Sequence, residues 1–281
     1  SFMFGMSMGF VIDSAIRRGA PAWKILLRRL AALLVIGLLH SILYPGEILR
    51  DYAVVGAILL PFVLKVPRSV RLVLGLLATV GAYAFTGGGE LSLPGLFLLG
   101  SAAQAYGLPA RLEHADRRIG AATLVFAAAS AAAIPWQAAE GGDPRFFTAG
   151  GVAGGLMACL YVCLLALLWR TPVRRALSAV FEPLGRMALT CYVTASFVMV
   201  PAGVLLDSRS TQDVIPGLIV AAAVLPLQWV FCRLWLSRFA YGPLEWVWRC
   251  ITWWRWIPLQ RPQSKRLDPV SSVPTTTAGI A

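Results

Sequence analysis

Apolar residues in this chain come in long blocks separated by short polar breaks. Neither the alternation of a half-buried strand nor the narrow stripe of a soluble helix is seen. The blocks run over 30–44, 52–64, 72–86, 93–107, 119–136, 148–168, 187–206 and 215–236. Each reads as a transmembrane helix, although the shortest fall below the ~17 residues a crossing needs and must borrow from their flanks or lie partly inside protein. The expected fold is all-α, a polytopic transmembrane helix bundle of about eight spans, preceded by the end of an N-terminally truncated one. That opening stretch, SFMFGMSMGFVID, has no initiator Met, no charged n-region and no small-residue cleavage site. It therefore reads as the cytoplasmic end of a span rather than as a signal peptide; the alternative is an interfacial helix. Gly5 and Gly9 among Met3, Met6 and Met8 suit a closely packed face, and Gly151, Gly155 and Cys159 repeat the small-xxx-small spacing of membrane helices. Residues 1–261 form one expected membrane domain. The tail 262–281, polar and rich in Pro, Ser and Thr, is expected to be disordered and cytoplasmic.

Composition strengthens this reading. The 281 residues are 58% hydrophobic and 14% charged, against ~25% charged in a soluble domain, and the mean hydropathy is +0.72. A net charge of +12 and a pI near 10.2 raise nucleic acid as a partner, but the placement of the charges removes it. Of the 25 basic residues, 22 fall in alternate loops and the C-terminal part; the other loops hold only Arg50, Arg145 and Arg209. The positive-inside rule then places the arginine-rich loops and the C-terminus in the cytoplasm. The basic segment 17–30 is amphipathic and suited to lie against anionic headgroups. Five cysteines (Cys159, Cys163, Cys191, Cys232, Cys250) lie in or beside spans without His or acidic company, so they read as small hydrophobes and no metal is expected. His114, between Glu113 and Asp116, reads as a solvated loop residue.

The densest ionisable cluster at membrane depth is LVIGLLHSILYPGEILRDYAVVG (34–56), two apolar helices joined by a polar turn. Such groups cost at least ~2.5–3.5 kcal/mol to insert and are functional candidates by default. His40 is the candidate base, since its ordinary pKa is near operating pH, and Asp51 is the candidate group to orient it across the hairpin. The alternative is a buried structural hydrogen bond, His to Asp or Tyr to His, that pins the hairpin. Glu47, Arg50 and Tyr52 in and after the turn are candidate substrate contacts, together with Arg186 and Tyr192 of FEPLGRMALTCYVTASF (181–197). In that stretch Glu182 and Arg186 stand at i, i+4, while Thr190, Thr194 and Ser196 either bond across to other helices or back to their own carbonyls. SRFAYGPLEWVWRC (237–250) repeats the spacing with Glu245 and Arg249 around Trp246 and Trp248; it reads as an interfacial helix pinned by aromatics and one ion pair.

Four motifs in order, RRLAALLVIGLLHSILYPGEILRDYAVVGAILLPF, LFLLGSAAQAYGL, LGRMALTCYVTASF and RFAYGPLEWVWRCITW, resemble the YeiB-like family of bacterial inner-membrane proteins, whose C-terminal half is a domain of unknown function. Two positions depart from the family pattern: Glu47 stands where Asp is frequent and Cys191 where Asn is common. The family is distantly similar to membrane acyltransferases of the heparan-α-glucosaminide N-acetyltransferase kind. That resemblance implies transfer of an acyl group from cytoplasmic acetyl-CoA to a small acceptor, with His40 not equated by motif with the histidine of those enzymes. Acyl transfer needs a base at hydrogen-bond distance from the acceptor and cations for the CoA phosphates, which the cytoplasmic arginines can supply. A small-molecule transporter is the alternative, suggested by Pro61, Pro135, Pro201 and Pro226 inside spans. A structural partner of another membrane protein and a channel follow. The expected partners are the lipid bilayer, a small-molecule substrate and, as one assembly, a second copy in a homodimer.

Overall fold

The computed structural model describes residues 1–114, 117–140, 147–205 and 215–260, and the elements they form are helices. In chain order the helices are α1 (Phe2–Arg17), α2 (Ala22–Ser41), α3 (Leu49–Lys65), α4 (Arg68–Thr86), α5 (Ser92–Ala105) and α6 (Leu108–Glu113). There follow α7 (Arg117–Glu140), α8 (Thr148–Leu168), α9 (Arg174–Arg186), α10 (Ala188–Leu205), α11 (Ile215–Arg238) and α12 (Pro243–Trp253). Pro67, Pro109 and Pro243 stand at helix starts, where a missing N–H costs nothing. Gly87 ends α4 in the left-handed conformation.

Five helices, α4, α7, α8, α10 and α11, are long and apolar enough to cross a membrane. Their outward side chains are apolar to a degree that water would not tolerate: Leu77, Leu124, Leu227 and Leu234 are 66, 74, 69 and 66% exposed. The remaining three of the eight expected spans do not reach that standard. α2 is 20 residues long but carries Lys24, Arg28 and Arg29, α3 has 17 residues, and α5 has 14. At 1.5 Å per residue α5 measures ~21 Å, short of a ~30 Å hydrocarbon core. It is instead the buried centre of the bundle, with Leu93, Phe97, Leu98, Ser101 and Ala102 enclosed by α1, α3 and α4. A helix apolar on all sides needs either protein or lipid around it, and α5 has protein.

Close approach centres on α5. A Cβ at Gly5 would overlap the Phe97 carbonyl oxygen, and one at Gly100 the Phe2 carbonyl oxygen, so α1 and α5 touch backbone to backbone. Gly9 likewise lies against Gln104. The second glycine stripe divides: Gly151 sits against the Gly87 carbonyl, but Gly155 faces open space and Cys159 is exposed. Around the α1–α5 seam Phe4, Tyr52 and Phe97 stack at 5.1–5.4 Å between centroids over a core of Met8, Leu26, Leu59 and Val63.

Among the described residues, and with Arg50 at the opposite end of α2 and α3, basic side chains gather at the end where α1 and the start of α2 meet α12. There the segment 17–30 is no separate surface helix: its second half is the first turns of α2, with Leu26 and Leu30 buried. Arg18, Arg28 and Arg29 lie over Trp253, Trp254 and Trp248 at 4.3, 5.3 and 3.8 Å, and Arg68 over Tyr106 at 4.6 Å. Arg145, Arg209 and the tail expected to be disordered lie outside the described residues.

Candidate functional site

The hairpin of α2 and α3 has a register set by one residue. Gly37 lies 2.6 Å, by its absent Cβ, from the Arg50 backbone nitrogen, so the two helices cross there with nothing between them. Stepping three residues outward along each arm of the helical hairpin brings His40 opposite Glu47. Their side chains meet: His40 Nδ1 is hydrogen-bonded to Glu47 Oε2. His40 is 5% and Glu47 2% exposed. The other carboxylate oxygen of Glu47 accepts the Leu49 N–H at 2.5 Å, at the positive end of α3. Tyr192 of α10 packs edge-on against the imidazole at 5.3 Å, and Tyr44 flanks it at 6.3 Å.

This corrects the expected pairing of His40 with Asp51. Asp51 lies one residue beyond the crossing point on α3 and accepts from Arg50 Nε at 3.1 Å. Tyr52 shares a hydrogen bond with the Ser1 hydroxyl at 2.9 Å and packs on Phe4 and Phe97. Of the residues proposed from sequence, His40, Glu47 and Tyr192 are in direct contact, while Arg50, Asp51 and Tyr52 make their hydrogen bonds to other groups.

What remains on the histidine matters chemically. A carboxylate on Nδ1 selects the neutral tautomer protonated there, which leaves the Nε2 lone pair free. Nε2 is buried and has no hydrogen-bond partner among the described residues. An oriented imidazole with an open second nitrogen is the arrangement of a general base held by a carboxylate.

The other proposed residues assemble at the basic end. Glu245 does not pair with Arg249; its carboxylate accepts the Thr190 N–H at 2.9 Å and the Thr190 hydroxyl at 2.6 Å, capping the start of α10. Thr194 takes the other route weighed for these hydroxyls, donating back to the Thr190 carbonyl at 2.7 Å. Arg186 donates to the Ala240 carbonyl at 3.0 Å and stands 4.0 Å from Glu182. Trp246 and Trp248 donate their indole N–H groups to the Ile257 and Arg29 carbonyls at 2.7 and 2.8 Å, so α12 is tied to α2 and to the chain that follows it. Between these elements lies a cavity of about 450 Å³ that includes Arg29, Arg186, Glu245, Trp248 and Arg249 in its lining. Burial, and then the nearby charge of Arg249, pulls the Arg29 guanidinium down to about 10, which leaves it cationic at neutral pH. Sequence reasoning missed Arg29 as a site residue because it sits in a basic run; it also missed Asp13 and Gln104, which bond at 2.6 Å between α1 and α5. Their signal was there, as single polar residues inside apolar helices.

Two relatives of this chain are uncharacterised. One, described as an uncharacterised 39.9 kDa protein in an amylase 3′ region of Bacillus acidopullulyticus, is 28% identical over 92% of this chain and 80% of its own length. The other, the uncharacterised protein YxaH of Bacillus subtilis strain 168, is 28% identical over 93% of this chain and 80% of its own. No solved structure matches. Residues 107–255, from the approach to α6 through α12, match the model of a family described as "Protein of unknown function (DUF418)". With more than half of its length inside that match, and the YeiB-like resemblance of its motifs, the chain belongs to the DUF418 family.

Proposed function

We propose that this protein is a membrane-embedded acyltransferase, moving an acyl group from acyl-CoA on its basic, cytoplasmic side to a small hydroxyl or amine acceptor. One observation carries the reading: a buried imidazole fixed by Glu47 through Nδ1, with Nε2 unpartnered among the described residues. In the reaction Nε2 accepts the acceptor's proton as its oxygen or nitrogen attacks the thioester carbon. The new C–O or C–N bond forms, the C–S bond breaks, and the proton passes to the departing CoA thiolate. Glu47 steadies the imidazolium between the two transfers. His40 is eleven residues along α2 from Arg29, ~16 Å at the helical rise. A donor anchored by its phosphates at the basic end therefore has to present its acyl group on an extended arm, as a CoA thioester does.

A second reading, transport of a small molecule, is favoured by the prolines inside α3, α7, α10 and α11 (Pro61, Pro135, Pro201, Pro226), which free backbone carbonyls at membrane depth. The two are separated by following thiol release from acetyl-CoA with protein reconstituted in vesicles of its source lipid, supplied with a small-metabolite extract. Acyl transfer requires acceptor-dependent release that falls at least ~10²-fold, the usual share of a general base, in His40→Gln with helicity intact. Absence of release from folded wild-type protein, or equal rates in the variant, overturns it.

A further inference from the structure

The charges around the 450 Å³ cavity at the basic end do not balance. Three arginines reach it, Arg29, Arg186 and Arg249, and its acidic member, Glu245, already serves the start of α10 through both oxygens. Arg29 Nε is buried and without a hydrogen-bond partner among the described residues, and the guanidinium lies over Trp248 at 3.8 Å, whose own N–H holds the Arg29 carbonyl. Such a group is held in place and short of an acceptor at Nε. Arg249 stands over Tyr241 at 4.8 Å, with no carboxylate bound among the described residues. Arg29 and Arg249 are thus held by aromatic contact instead of neutralised by an acid, while Arg186 rests on the Ala240 carbonyl with Glu182 4.0 Å away. The size fits a small-molecule site, and Phe10, Val11 and Trp253 supply an apolar wall.

We propose that this cavity binds a phosphate ester or pyrophosphate, with Arg29, Arg186 and Arg249 as its charged contacts and Trp248 as the platform that holds Arg29 in place. Planar guanidinium groups take phosphate oxygens two at a time, which a lysine in the same position cannot do. Two sources share this chemistry, the headgroup of an anionic lipid and a soluble nucleotide such as the 3′-phospho-ADP part of CoA. The inference stands on the cavity's own charges and holds whether or not the protein transfers acyl groups; if it does, this is where the donor's phosphates rest.

The test uses the full-length protein in phosphatidylcholine nanodiscs and reads the thermal unfolding midpoint. Pyrophosphate and CoA are titrated in solution, and phosphatidylglycerol is titrated into the discs in a parallel series. A saturable rise with a soluble anion or with phosphatidylglycerol is expected, and the series that responds names the source. Half-saturation should move at least tenfold in Arg249→Gln and in Arg29→Gln, and not in Arg111→Gln, which lies outside the cavity. Should Arg29→Gln fail to fold, Arg249→Gln alone decides. No saturable rise in either series, or equal weakening by Arg249→Gln and Arg111→Gln, overturns the proposal.

Discussion

The two polar regions of this bundle solve the same problem in opposite ways. At the outer end of the α2–α3 hairpin one base meets one carboxylate, both are sealed from solvent, and the remaining carboxylate oxygen is used by a helix amide. At the basic end three arginines share a cavity with a carboxylate that is committed elsewhere. Isolated charge in a low-dielectric interior is costly, so the hairpin pair must be matched within the chain. The cavity opens to water and can keep an imbalance until a ligand corrects it. Matching marks the place where the fold has spent its polar groups on itself, apart from Nε2; imbalance marks the place that faces outward.

The largest effect should come from breaking the match. Glu47→Leu leaves the His40 Nδ1 and the Leu49 N–H without an acceptor, and should lower stability in detergent by ~3 kcal/mol. His40→Leu combined with Glu47→Leu should recover the part of that loss due to the stranded imidazole, while the Leu49 N–H stays without its acceptor. The cycle is measured by unfolding of the four proteins in mixed micelles. A single variant that unfolds with the wild type, or a double variant no better than Glu47→Leu, would show that the pair does not hold the hairpin.

A smaller effect is expected where a carboxylate of the cavity serves the fold. Glu245→Ala strips the Thr190 amide and hydroxyl of their acceptor and should cost ~1–2 kcal/mol, the range of a lost helix cap. It also removes the cavity's negative charge, so the affinity for CoA or phosphatidylglycerol should rise while stability falls. Opposite signs in the two measurements would separate Glu245 from the arginines, whose loss should weaken binding.

These contrasts explain what could be read from the chain and what could not. Helix positions were legible because apolar blocks of this length have few other fates, and His40 stood out as the lone imidazole within an apolar block. Its partner was not legible. Two carboxylates, Glu47 and Asp51, lie within reach of the turn, and the choice depends on the register of α2 against α3, which Gly37 sets by allowing the Arg50 backbone to pass at contact distance. Once 37 faces 50, 40 faces 47, and Asp51 falls a helical turn too far along. The same limit applied to Glu245 and Arg249. Their i, i+4 spacing permits a pair worth ~0.2–0.5 kcal/mol, and the amide and hydroxyl of Thr190, on another helix, make a better offer. α5 was read as a span short enough to lie partly inside protein for a related reason: uniform apolarity describes a helix surrounded by protein as well as one surrounded by lipid, and only its neighbours decide.

The smallest effect is the most diagnostic, because it asks whether the imbalance is real. Arg249→Gln removes a charge that the fold does not neutralise, together with an exposed contact to the Tyr241 ring worth ~0.5–1 kcal/mol. Against that loss stands relief of the repulsion that Arg249 exerts on the half-buried Arg29. The two terms oppose, so ligand-free stability should change by no more than ~0.5 kcal/mol. Salt resolves them. Raising ionic strength screens repulsion between partly exposed cations, so the wild type should gain stability with sodium chloride and Arg249→Gln should gain less. A variant that loses more than ~1 kcal/mol in low salt, with a slope equal to the wild type's, would mean that Arg249 already has its anion within the protein. The cavity would then be matched like the hairpin, and the difference between the two ends of the molecule would vanish.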